Sequence, residues 1–169
     1  MTKSVVITLI GDDRPGIVED VSRIIVSHDG EWIESRMANL SGKFAGILRA
    51  DLPDGKCDAF AEEIKSGVTG VQVSIELADS HTEPAGQCYR LDLVGQDRPG
   101  IIHRISSALA SNGATVEDLE SEVVDASMSG EKLFKATITL SLEEGRNIDE
   151  LGEILEELAN ELIVDIELG

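Results

Sequence analysis

The residues best suited to chemistry in this chain are a short set of acids and an arginine in a glycine–proline frame, and the set occurs twice. Gly11-Asp12-Asp13-Arg14-Pro15-Gly16-Ile17-Val18 is matched by Gly95-Gln96-Asp97-Arg98-Pro99-Gly100-Ile101-Ile102, with six of eight positions identical at an offset of 84. Each copy follows an apolar, β-branched run, Val5 to Ile10 in the first and Leu91 to Val94 in the second, and each opens a segment of helical periodicity. Gly11 and Gly95 are read as leaving the strand through a conformation closed to residues with a side chain. Pro15 and Pro99 suit the first helical position, and proline keeps Arg14 and Arg98 out of the α region. The motif reads as strand, tight turn and helix start. Unpaired backbone N–H groups at such a turn can receive an anionic group.

Other chemistry finds less support. The three histidines, His28, His81 and His103, are scattered over a helix end, a polar connection and a helix, without cysteine or carboxylate partners at metal-ligand spacing. Cys57 and Cys88 lie in different halves and read as reduced thiols. No serine or cysteine sits in a nucleophile elbow or a Cys-x-x-Cys pair, and the repeated motif lacks the lysine of a phosphate-cradling loop. No cofactor is expected. Asp97, Arg98 and His103 could form an acid–base set on a small enzyme, but nothing in their spacing demands it.

The elements that must position the motif come in two rounds. At 169 residues the chain accommodates two units of roughly 80 residues, as the offset requires. The expected boundaries are 1–79 for the first unit, 80–86 for a polar linker and 87–169 for the second. In the first, Lys3 to Ile10 reads as a strand, and Ile17, Val21, Ile24, Ile25 and His28 form one helical stripe ended at Asp29-Gly30, glycine serving as the left-handed cap. Glu31 to Leu40, with imperfect alternation, and Phe44 to Leu52 make a hairpin turned at Ser41-Gly42-Lys43. Cys57, Phe60, Ala61 and Ile64 mark a second helix, and Val71, Val73, Ile75 and Leu77 alternate as a half-buried strand. The second unit repeats the order: Cys88 to Val94, then the stripe Ile101, Ile105, Ala108, Leu109 and Asn112, with Gly113 capping one residue out of step with Gly30. A hairpin of Thr115 to Ala126 and Leu133 to Leu142 follows, then a helix carrying Leu151, Ile154, Leu155, Leu158 and Leu162, and a strand from Ile163 to Leu168. Each unit is thus βαββαβ, a four-stranded antiparallel sheet with two helices on one face, the ferredoxin-like α+β arrangement.

Charge narrows the partners. With 33 acids against 14 bases the chain carries a formal charge of −19, which repels phosphate backbones and argues against direct nucleic-acid binding. No apolar run approaches the roughly 20 residues of a membrane span, and the N-terminus shows no signal-peptide pattern, so a cytoplasmic protein is expected.

A unit of this order with Gly-x-Asp-Arg-Pro-Gly-Ile after its first strand resembles the ACT domain family. Ser111 to Asp118, with its asparagine-glycine, resembles the family's segment between the first helix and second strand. Two such domains and little else resemble the glycine cleavage system transcriptional repressor group. The resemblance implies a small ligand, usually an amino acid, held around the turn entering the first helix where ACT domains meet. It places ligand contacts at Gly11, Asp12, Asp13, Arg14, Pro15 and Gly16, at Gly95, Gln96, Asp97, Arg98, Pro99 and Gly100, and at Asn112, whose counterpart in the first unit is His28. It further implies action through a DNA-binding protein partner, and homo-oligomers built through sheets or helices. On the amino acid, the turn N–H groups would hold the carboxylate and Asp13 or Asp97 the ammonium. The same aspartates also suit helix capping, and the arginines also suit pairing with nearby acids.

Overall fold

The computed structural model describes residues 1–78 and 86–169. The expected linker falls outside the described residues except for Gly86, and so does His81. The chain divides into two compact units, Met1–His81 and Thr82–Gly169. The first runs β1 (Thr2–Asp12), α1 (Ile17–Ser27), β2 (Glu31–Leu40), β3 (Lys43–Pro53), α2 (Cys57–Gly67) and β4 (Val71–Leu77). The second runs β5 (Cys88–Gln96), α3 (Ile101–Ser111), β6 (Ala114–Asp125), β7 (Lys132–Leu142), α4 (Ile148–Leu162) and β8 (Val164–Leu168). Each unit is therefore βαββαβ. The sheets have strand orders β2-β3-β1-β4 and β6-β7-β5-β8, with every neighbouring pair antiparallel.

Alternation along the central strands decides which face meets the helices. Val5, Ile7 and Leu9 of β1 and Leu48, Ala50 and Leu52 of β3 all point to one side. There they join Ile17, Val21, Ile24 and Ile25 of α1 and Phe60 and Ile64 of α2 in a single buried cluster. The second core repeats this with Leu91 and Leu93, Ile138 and Leu140, the α3 stripe Ile101, Ile105 and Leu109, and Leu151, Leu155, Leu158 and Leu162 of α4. Each large apolar side chain fully withdrawn from water contributes roughly 1.5–3 kcal/mol, so each unit holds its own fold-defining core. The imperfect alternation of Glu31–Leu40 has a local cause, a register shift between Trp32 and Glu34. An equivalent shift lies between Val116 and Asp118. At the hairpin tip Ser41 and Gly42 both take positive φ, as a two-residue turn matching strand twist requires.

Four local expectations change. Pro15 and Pro99 stand just before the glycine N-caps and outside the helix: the helices begin at Ile17 and Ile101, and Gly16 and Gly100 are their N-caps, at φ 89° and 86°. Gly11 and Gly95 remain in their strands, paired with Phe44 and Phe134, and are glycine because the neighbouring strand comes too close for a side chain. Gly30 is not the left-handed residue after α1; Asp29 is, at φ 56°, so Gly113 at φ 71° is in step with the first unit. Leu77 ends its strand exposed, and Ile163 is the left-handed residue between α4 and β8, not the start of the strand.

Candidate functional site

Both motif turns are built alike. The Asp13 N–H donates to the Gly42 carbonyl at 2.9 Å and the Asp97 N–H to that of Lys132 at 2.9 Å, which ties each turn to the end of its β-hairpin. The first helical bonds are Asp20 N–H to the Gly16 carbonyl at 2.9 Å and Arg104 N–H to that of Gly100 at 3.0 Å. The amides from Gly16 to Glu19, and from Gly100 to His103, therefore lack an intrahelical acceptor and point along the positive end of the helix. Nothing lies within 4 Å of where a Cβ would stand on Gly100, whereas on Gly16 Arg14 Nη1 lies 3.7 Å from that point. Replacing Gly16 or Gly100 by alanine forces an L side chain into the left-handed region. Each is expected to cost about 1–2 kcal/mol in urea unfolding, and an unchanged midpoint would contradict the turn geometry.

The side chains differ sharply between the copies. In the first, Arg14 is spent inside the unit: Nε donates to the Thr69 carbonyl at 3.0 Å, Nη1 to that of Pro15 at 3.1 Å, and Nη2 to Asp20 Oδ2 at 2.9 Å. Asp20 Oδ1 also accepts from Arg23 at 3.3 Å. Asp12 is held by Lys43, and Asp13 accepts from Asn39. In the second copy Gln96, Asp97 and Arg98 are exposed and have no side-chain hydrogen bond or ion pair among the described residues. Two substitutions explain this. The position of Asp20 is taken by Arg104, which pairs with Glu161 instead. The 11-residue α2 is followed by a turn that offers the Thr69 carbonyl, whereas the 15-residue α4 reaches β8 through Ile163 alone.

Electrostatics follow the same division. The first turn of α1 carries Glu19 and Asp20, while that of α3 carries no acid and has His103 and Arg104 at the same two positions. The hydrogen bonds from Arg14, then Arg23, hold the Asp20 carboxyl below its ordinary value of 3.8. A carboxyl whose folded value is depressed supports the fold above its unfolded value, and that support is lost as pH falls through the folded value. Stability of the first unit should therefore drop more steeply in wild type than in Asp20→Asn between about pH 5 and about pH 3. Parallel urea curves over that range would show that the clasp contributes nothing.

Asn112 and His28 occupy matching helix ends and do the same work. The Asn112 amide donates to the Ala108 carbonyl at 2.7 Å, and His28 Nδ1 lies 3.0 Å from that of Ile24. His28 Nε2 also lies 3.4 Å from Glu63, and its ring stands edge-on to Phe60. An 11-residue helix separates Asn112 from Gly100, about 16 Å at 1.5 Å per residue, so the two do not meet around one amino acid within the unit. The structure thus brings together Gly95 to Gly100 but places Asn112 at the far end of α3. Among the described residues no three His, Cys, Asp or Glu side chains are arranged to hold a metal. No described helix is long and apolar enough to cross a membrane. What sequence reasoning passed over is the exchange of Asp20 for Arg104; the offset of 84 carried that signal.

Two tandem βαββαβ units, each with a glycine-capped turn after its first strand, define a class that comparison identifies. ACT domain models match residues 3–76 and 89–161, and the chain belongs to the ACT domain family, with two domains in tandem. It is 35% identical over 75 residues to a UPF0237 protein of Methanopyrus kandleri, covering 44% of this chain and 77% of that one. It is similar throughout to the crystal structure of an unknown protein from Galdieria sulphuraria, with 31% identity, a TM-score of 0.90, and 99% and 98% of the two chains covered. A candidate glycine cleavage system transcriptional repressor shares the fold at a TM-score of 0.70 and 19% identity, over 100% and 97% of the chains.

Proposed function

We propose that this protein is an amino-acid-responsive regulator without catalytic activity of its own, which controls transcription of amino-acid metabolism of the glycine cleavage type through a protein partner. The observation that carries the reading is the second motif, where the amides of Gly100 to His103 lack an intrahelical acceptor and, among the described residues, the exposed side chains of Asp97 and Arg98 have no partner. The amides and the guanidinium suit a carboxylate, and Asp97 suits the ammonium. The first copy keeps the backbone turn but has closed its side chains on Asp20, Asn39 and Lys43. The tandem ACT architecture and the name of the similarly folded repressor support a regulatory role. The charge of −19 supports the partner, because a surface so acidic does not hold DNA unaided.

Two measurements test this. A thermal-shift screen against the twenty amino acids should single out one or a few that raise the transition temperature by mass action, with calorimetry giving a single site per chain. No shift with any of them sinks the amino-acid reading. In a mobility-shift assay at physiological salt, the protein alone should leave DNA unshifted. A salt-sensitive shift at submicromolar protein would overturn the partner.

A further inference from the structure

The last strand, β8, forms one edge of the second sheet and pairs on a single side, with β5. Arg90 and Gly169 exchange both backbone hydrogen bonds, at 2.7 and 2.9 Å. In an antiparallel pair such residues alternate with ones whose N–H and carbonyl point away from the partner strand. Counting back along β8, Glu167 and Asp165 face β5, while Leu168 and Ile166 turn their backbone groups off the open edge. The side chains of Leu168 and Ile166 lie on the helix side, half-buried against the core.

Between this edge and α4 runs a groove of about 660 Å³. Tyr89, Ile148, Ile166 and Leu168 give it an apolar floor, and Asp149, Glu153 and Glu156 stand along its rim. The arginines flanking the region, Arg90 on β5 and Arg146 before α4, are held by Asp92 and Glu143. Gly152 opens the groove, since nothing lies within 4 Å of where its Cβ would stand. Glycine in a helix interior forgoes about 1 kcal/mol relative to alanine, and here no crowding neighbour demands it. Counted from the first helical residue, α2 has Ala61 in place of Gly152 and Lys65 in place of Glu156. The same helix face of the first unit thus carries a methyl at the notch and a cation on the rim.

We infer that this groove receives an extended, basic segment of the protein partner, which adds to β8 as a further strand. The inference rests on the partner reading above and deepens it by naming what that partner presents. The open edge supplies main-chain hydrogen bonds, the floor takes alternate apolar side chains, and the acidic rim selects lysine or arginine around them. A second copy of this chain does not fit. Antiparallel pairing of β8 with its own copy about Ile166 sets Asp165 directly opposite Glu167 of that copy, and like charges so placed repel.

Fluorescence anisotropy with a labelled hexapeptide of alternating lysine and valine, in the absence of amino acids and DNA, reads the docking directly. The peptide should bind with a dissociation constant of roughly 100 micromolar at low salt. Its affinity should fall about tenfold from about 50 to about 500 mM NaCl, as screening of the rim requires. Gly152→Leu fills the groove with a better helix former and should weaken binding at least about tenfold while circular dichroism stays native. Glu153→Arg combined with Glu156→Arg reverses the rim and should weaken it about fivefold. Glu62→Lys, at the place on α2 that matches Glu153, should change nothing. Of two peptides N-methylated at alternate positions, one should lose binding and the other keep it, because a single row of N–H groups faces β8. No binding up to about 1 millimolar peptide overturns the proposal. So does binding that Gly152→Leu leaves alone, equal tolerance of both methylated peptides, or equal affinity for a glutamate–valine peptide. A dimer that Gly152→Leu dissolves would give the groove to a second copy instead and overturn it too. Failure of the peptide leaves the partner reading standing, whereas a salt-sensitive DNA shift removes that reading without altering the peptide result.

Discussion

Replacing Arg98 with alanine should weaken the proposed amino-acid binding by about tenfold or more, whereas Arg14→Ala should leave it within about twofold. A hydrogen bond from a guanidinium to a carboxylate contributes about 1.5–3 kcal/mol, and tenfold corresponds to about 1.4 kcal/mol. The low end is expected because the Arg98 side chain is exposed and water screens part of the attraction. Arg14 cannot make the same contact without giving up Asp20 and the Thr69 carbonyl. Its removal should instead lower the unfolding midpoint of the first unit, while Arg98→Ala leaves stability alone. Two further variants exchange the roles. Arg104→Asp puts an acid where the first copy has Asp20, so it should capture Arg98 and lower affinity nearly as far as Arg98→Ala. Asp20→Arg should release Arg14 and create a second, weaker site. Calorimetry with the amino acid found by thermal shift measures all four. Equal losses for Arg14→Ala and Arg98→Ala would sink the assignment of the second copy.

Much of this was legible before any coordinates. The offset of 84 announces two units, and the stripe Ile17, Val21 and Ile25 against Ile101, Ile105 and Leu109 places each first helix on its core. What escaped was set by distances between elements remote in sequence. A proline before a glycine reads equally well one step inside or outside a helix; the left-handed Gly16 and Gly100 decide it. Asp29 carries the positive φ that a sequence reader gives to Gly30, because the left-handed state tolerates aspartate and its carboxyl is held by Lys56. Gly30 is glycine for another reason: a Cβ there would meet Leu52 at 2.7 Å and the Ile25 carbonyl at 2.9 Å. The division of labour between the two turns depends on the length of the connection after α2 or α4. No residue inside the motif reports that.

The largest stability effects are expected at Gly11 and Gly95, where the side chain, not the backbone conformation, is excluded. A Cβ at Gly11 would lie 2.4 Å from the Gly70 carbonyl oxygen, and one at Gly95 would lie 2.2 Å from Val164 Cγ1 and 2.7 Å from its Cβ. Neither clash is relieved by a rotamer. The first obstacle is main chain, and the second is a β-branched side chain whose χ1 is restricted. Overpacking of this kind costs about 1–3 kcal/mol, and a main-chain obstacle belongs at the upper end. Gly11→Ala should thus lose about 3 kcal/mol, a large share of what a unit this size commands. The two sites separate in a double-mutant cycle. Val164→Gly removes the two nearest atoms facing Gly95 and leaves only the Cα of residue 164, at 2.9 Å, so its combination with Gly95→Ala should cost at least about 1 kcal/mol less than the sum of the single changes. No substitution of Gly70 or Val71 side chains can rescue Gly11→Ala, because the carbonyl stays where it is. Urea unfolding followed by circular dichroism gives each value. Additivity at Gly95 and Val164, or a loss below about 0.5 kcal/mol for Gly11→Ala, would mean that the strands can part without cost. The turn would then not be held at the end of its inner strand by close approach, and the placement of Arg98 and its amides would lose its mechanical basis.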